Sequence, residues 1–166
     1  MIRSRALRRT PVDDLVPGDL FRFSYGSGAV LALFLERVEG EAPRVGILQG
    51  ADFKTNMIWL DYNGGPRECL SYGSEWLLEE EHGSETYCGE RQSRGKARLY
   101  IDTPGLVMVF GPSNGNIFGF NFVIDLQSSA SFKLTPDAAP ILGWKIWENE
   151  AHRDSGNAPL FDTENP

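Results

Sequence analysis

The sequence predicts a mainly antiparallel β protein, a barrel or a sandwich, with at most one or two short helices. Three observations lead there. First, 18 Gly and 10 Pro are spread through 166 residues without a period, so the chain is cut into short segments and has no collagen-like or low-complexity character. Second, the apolar residues between these breaks alternate, or run continuously over strand lengths. Third, LVPGDLFRFSYGSGAVLALFLERV, from Leu15 to Val38, leads a Pro-Gly turn into two apolar segments joined by a glycine-rich turn.

Taken in order, residues 1–12 carry four Arg and no apolar period, which predicts a flexible basic arm. The single β domain is expected over 13–148. Pro17-Gly18 suits a type II turn, because proline fixes φ and glycine tolerates a positive one. FRFSY then alternates, placing Phe21, Phe23 and Tyr25 on one face and Arg22 and Ser24 on the other. Across Gly26-Ser27-Gly28, residues 29–35 are apolar on both faces, as in a central strand covered on both sides. That cover is supplied by the chain itself or by a second copy in a homo-oligomer.

Further strands are expected at 44–48, 56–62, 68–72, 98–103, 106–110, 117–126, 131–134 and 143–147. In FGFNFVIDL the shared face of Phe118, Phe120, Phe122, Ile124 and Leu126 is assigned to the core. Segment 74–82, SEWLLEEEH, has an N-cap serine and is followed by Gly83, as suits a helix. Three glutamates would crowd the negative end of such a helix, which favours a strand. Residues 149–166 form a polar tail.

The LVPGDLFRF opening resembles the first strand of small SH3-like barrels, so an SH3-like hairpin is expected at the N-terminal side. Aligning Gly28 with Gly105 sets FRFSY against LYIDT and AVLALF against LVMVFG. That echo reads either as two similar β halves, 13–62 and 97–148, or as the ordinary recurrence of hairpins in a β protein.

Composition narrows the function classes. No segment approaches the roughly 20 apolar residues of a membrane span, and no secretory apolar region follows the N-terminus. A soluble, cytoplasmic protein with no membrane partner is expected. Cys69 and Cys88 are too few for a disulfide framework. The net charge of −7 conceals two basic islands, Arg3, Arg5, Arg8 and Arg9, and then Arg91, Arg94, Lys96 and Arg98. The rest of the chain is more acidic still and repels nucleic acid, so only these islands could hold a phosphate backbone. Neither island carries the interleaved aromatic residues that stack bases.

Glu79, Glu80, Glu81 and His82, with Cys69 and Cys88 at a distance, offer zinc-type ligands, but their spacing matches no short-range motif. A solvated acidic turn is expected, with no metal and no cofactor. Acid–base chemistry would need carboxylates brought together from strand ends, with Asp61, His82 and Asp102 as the catalytic candidates and Asp52, Asp125, Glu148 and His152 behind them. No GxSxG nucleophile motif is present, and GPSNGNIFGF lacks the Lys-Ser/Thr of a phosphate loop.

Trp144 and Trp147 would point to opposite faces of a strand, so one needs cover from outside the core. Pro159, Leu160 and Phe161 are suited to pack on it or to dock into a partner; left bare, that Trp would be a ligand-binding anchor. With four Trp, five Tyr and ten Phe, the leading expectation is a non-catalytic module that binds a protein or small ligand in an aromatic-lined concavity. The alternatives are a nucleic-acid-associated factor using the basic islands, and a small hydrolase or isomerase using strand-end carboxylates.

Overall fold

The computed structural model describes residues 7–50, 57–85, 87, 98–112 and 120–164. The chain runs through β1 (Arg8–Pro11), a 3-10 turn (Val12–Asp14), β2 (Leu20–Tyr25), β3 (Gly28–Glu36), β4 (Arg44–Gly50), β5 (Ile58–Asp61) and β6 (Glu68–Gly73). It continues through β7 (Leu77–Glu80), β8 (Leu99–Asp102), β9 (Gly105–Pro112), β10 (Phe122–Asp125), β11 (Ala139–Ile141), β12 (Trp144–Trp147), α1 (Glu150–Asp154) and β13 (Phe161–Asp162).

Ten strands form one mixed sheet in the order β1-β6-β2-β3-β4-β5-β9-β8-β11, with β10 also on β9; a second sheet runs β13-β12-β7. The architecture is sandwich-like and the barrel alternative is corrected. The edge of β5 that would have to close a barrel pairs instead with β9, Ile58 to Gly111 and Trp59 to Pro112, in the only parallel pairing among the described strands.

The opening segment forms as the residues dictate. The amide of Asp19 donates to the Val16 carbonyl at 3.0 Å, with Gly18 at φ 93 inside the turn. Beyond it, β2 and β3 pair from Leu20–Leu33 to Tyr25–Gly28 across a two-residue turn. The second hairpin has the same form, β8 and β9 pairing up to Asp102–Gly105. Gly28 and Gly105 therefore hold equivalent places. Each hairpin is flanked by a later strand on one side and the next strand on the other, β6-β2-β3-β4 and β11-β8-β9-β10, although β6 lies beyond residue 62.

Sheet pleating divides the apolar residues into three layers. On β3, Val30, Ala32 and Phe34 face a cluster with Phe21, Phe23, Val45, Ile47 and Ile58. Leu31, Leu33 and Leu35 face the opposite way, toward Met108, Phe110, Phe122 and Ile124 of the second half and Trp144, Ile146 and Phe161 of the small sheet. Tyr100, Val107, Val109 and Val123 close a third cluster on the far side. The doubly apolar strand is thus covered on both faces by its own chain. Contact between the halves is close: a Cβ on Gly46 would stand 2.5 Å from the Phe110 ring.

Four expectations are corrected in detail. The basic arm is not free up to Val12, because β1 pairs with β6 over Arg8–Pro11 and satisfies backbone groups that an open β6 edge would expose. The FGFNFVIDL strand is confined to Phe122–Asp125; Phe120 is 57% exposed, its ring lying 5.1 Å from Trp59, and Phe118 is outside the described residues. The 131–134 strand is reduced to a bridge between Ser131 and Ile124. The tail is also structured: α1 is capped by Asn149 Oδ1, which accepts the His152 amide at 2.8 Å, and β13 pairs with β12. Segment 77–80 is a strand, pairing with β12. Among the described residues no helix is long and apolar enough to cross a membrane.

Candidate functional site

Alternation along β2 stacks Phe21 and Phe23 on one face with ring centres 5.6 Å apart, and delivers Tyr25 to the strand end, where it is 48% exposed. Tyr62 follows β5, its amide bonded to the Pro43 carbonyl at 2.7 Å and its hydroxyl donating to the Pro66 carbonyl at 2.8 Å. The loop wraps so tightly over this ring that a Cβ on Gly65 would lie 2.4 Å from it. The Tyr62 ring then meets Phe23 edge to face at 5.1 Å.

Beside this pair is a cavity of about 250 Å³ lined by Phe23, Tyr25, Leu60, Asp61, Tyr62, Asn63 and Gly65. By strand alternation the Asp61 side chain turns away from Leu60, to the face where Arg44 and Trp59 lie. That side chain is 52% exposed, and the Arg44 Nε stands 3.7 Å away. Arg44 also pairs with Glu36 and, at 2.9 Å, with Glu41. Three carboxylates therefore share one guanidinium.

Burial pushes the Tyr62 phenol up to about 12, helped by the neighbouring Cys69. The ring presented to the cavity is neutral over the whole physiological range. Cys69 is likewise raised, to about 11, by burial and by Asp19, and its Sγ donates to the Thr10 carbonyl at 3.3 Å. It is a packing thiol with little thiolate character.

The other anticipated residues are dispersed. His82 is exposed in the turn after β7. Asp102 accepts hydrogen bonds from the Thr135 amide and hydroxyl, both at 2.8 Å, and from the Thr103 amide at 2.7 Å, so its oxygens tie the second hairpin to the 135 loop. Asp125 is occupied in the same way by Ser128 and the Gln127 amide. Asp52 and Cys88 are outside the described residues. Trp144 is corrected from ligand anchor to core residue: it is 1% exposed, with the Phe161 ring 4.8 Å from its own. Trp147 is half-buried and donates its indole N–H to Glu79 at 2.8 Å.

Of the basic islands, Arg3, Arg5, Arg91, Arg94 and Lys96 are outside the described residues. Arg8 and Arg9 lie on the edge strand β1, Arg9 paired with Glu68, and Arg98 precedes β8 beside Gly111. An acidic trio, Glu81, Asp162 and Glu164, brings its oxygens together, but Lys145 Nζ already stands 2.9 Å from Glu81 and 3.7 Å from Asp162.

A second cleft, about 440 Å³, opens where β2 and β6 meet the C-terminal segment, with Arg22, Tyr72, Glu148, Asn149 and His152 in its lining. Arg22 lies 5.7 Å from the centre of the Tyr72 ring, and His152 Nδ1 is buried with no hydrogen-bond partner. Its polar neighbours are largely engaged: Asn157 donates to the His152 carbonyl and Ser155 to the Ala151 carbonyl.

Sequence reading placed Phe23 and Tyr25 on one face and named Asp61 as a strand-end carboxylate. It missed Tyr62, whose role depends on a loop folding back over it. Comparison of the chain with family models, curated proteins and solved structures finds no match.

Proposed function

We propose that this protein is a non-catalytic binding module whose recognition site is the aromatic cavity at the end of β2 and β5. One observation carries the reading: Phe23, Tyr25 and Tyr62 converge on an open cavity of about 250 Å³, while most other large aromatic side chains of the described core are consumed by packing. Tyrosine and phenylalanine walls supply large contact area at low entropic cost, which suits recognition of a side chain or small molecule. The residues best placed for acid–base work point elsewhere, with Asp102 and Asp125 spent on local hydrogen bonds.

Equilibrium binding of a panel of small charged and uncharged compounds to the full chain tests the proposal, with Tyr25→Ala as the comparison. Tyr25 is exposed, so the variant keeps its fold. Binding that weakens at least about ten-fold in Tyr25→Ala supports the site, the loss expected when one aromatic wall goes. Binding unaffected by Tyr25→Ala would place recognition elsewhere.

A further inference from the structure

We infer that the cavity is selective for an organic cation, a methylated ammonium head group; this rests on the binding-module reading and gives it a ligand class. The walls and the rim impose complementary demands. Phe23, Tyr25 and Tyr62 line the cavity, and aromatic rings carry partial negative charge on their faces, which attracts a cation that is only weakly hydrated. Asp61, also in the lining, places a full negative charge close by, on the side of β5 that faces Arg44.

The surroundings point the same way. Arg44, which pairs with Asp61, is divided among Asp61, Glu36 and Glu41, so the charge beside Asp61 stays net negative and disfavours an anion. Tyr62 stays a neutral phenol with its hydroxyl turned to the Pro66 carbonyl. A bare metal ion is poorly served by aromatic walls with a single carboxylate, because hard cations need several oxygen ligands. At about 250 Å³ the cavity is smaller than a site that engulfs a drug-sized molecule. It takes a head group whose remainder stays in solvent. Such a group occurs on a free small molecule or on a methylated lysine of a peptide.

The test uses the full chain, followed by ¹H–¹⁵N spectra in four titrations. Choline is compared with 3,3-dimethyl-1-butanol, its uncharged carbon isostere. A short peptide carrying trimethyl-lysine is compared with the same peptide unmethylated. The expected result is that choline shifts the amides of Tyr25 and of residues 60–65, and binds about ten-fold more tightly than the isostere, the size of a partly desolvated cation–π contact. Asp61→Asn should weaken choline several-fold and leave the isostere unchanged, with the remaining spectrum confirming the fold. Methylated peptide binding more tightly than choline identifies a protein side chain as the source; the reverse identifies a free cation.

Equal binding of choline and the isostere at these residues would overturn the cation inference while the aromatic site stands. No shift at residues 23–25 and 60–65 with any of the four probes would remove both.

Discussion

Phe23 and Tyr62 meet edge to face with ring centres 5.1 Å apart, although β3 and β4 separate β2 from β5 in the sheet. Only a strongly curled sheet brings them together, so this pair reports both the curl and the aromatic cavity. Phe23 is 6% exposed, and Phe23→Ala should cost about 3–5 kcal/mol, as for other buried rings. Tyr62→Phe keeps the ring and loses one hydrogen bond to Pro66, for about 1 kcal/mol. Urea unfolding of the two variants should show that order; equal losses would mean the contact contributes little.

Gly46 on β4 packs directly against Phe110 on β9. A Cβ there would stand 2.5 Å from the Phe110 ring, so Gly46→Ala should destabilise by about 1–3 kcal/mol through overpacking. Combining it with Phe110→Leu should recover part of the loss, because the smaller side chain makes room. Strict additivity in thermal unfolding would show that the two positions do not share this contact.

Alkaline pH should weaken the fold through Cys69 and Tyr62. Cys69 titrates near 9.0 when unfolded and near 11 in the folded chain. Between these values the unfolded chain releases a proton that the folded chain keeps, so stability falls as pH rises. Tyr62 adds the same slope between 10.0 and about 12. Cys69→Ala should flatten the pH 9–11 part of the stability curve, measured by urea denaturation at stepped pH.

At the acid end the sign reverses. Burial acts to raise Asp102, but the hydrogen bonds from Thr135 and Thr103 outweigh it and hold the carboxyl below its ordinary 3.8. Its contribution is therefore present above the unfolded value and lost as pH falls through the folded one. Asp102→Asn should lower stability at pH 7 by about 1–2 kcal/mol and lose most of that difference near pH 2. A difference that persists at low pH would mean the charge is not what matters.

The C-terminal segment seals the small sheet through Phe161, which is 4% exposed and packed on Trp144. Phe161→Ala should expose the indole, shift tryptophan emission to longer wavelength and cost about 3 kcal/mol or more. Unchanged emission would contradict the sealing role.

What could be read from the sequence follows from how local each signal is. The β2–β3 hairpin, the two-faced burial of β3 and the matching place of Gly105 are written in alternation and turn chemistry, and all appear in the structure. The short strands β1, β11 and β13 carry no period of their own; each forms because a neighbouring strand offers an open edge. Phe120 alternates with the core residues, yet the ladder to β9 begins only at Phe122. For the site, Phe23, Tyr25 and Asp61 could be named as strand residues, but their meeting with Tyr62 depends on sheet curl and on a loop folded over Gly65. Neither has a local signature.

Recognition at the aromatic cavity should be visible in the amide chemical-shift map of the full chain under choline titration. The largest changes should cluster at residues 23–25 and 60–65 and vanish in Tyr25→Ala. Changes centred instead on Arg22, Tyr72 and His152, at the 440 Å³ cleft, would contradict it.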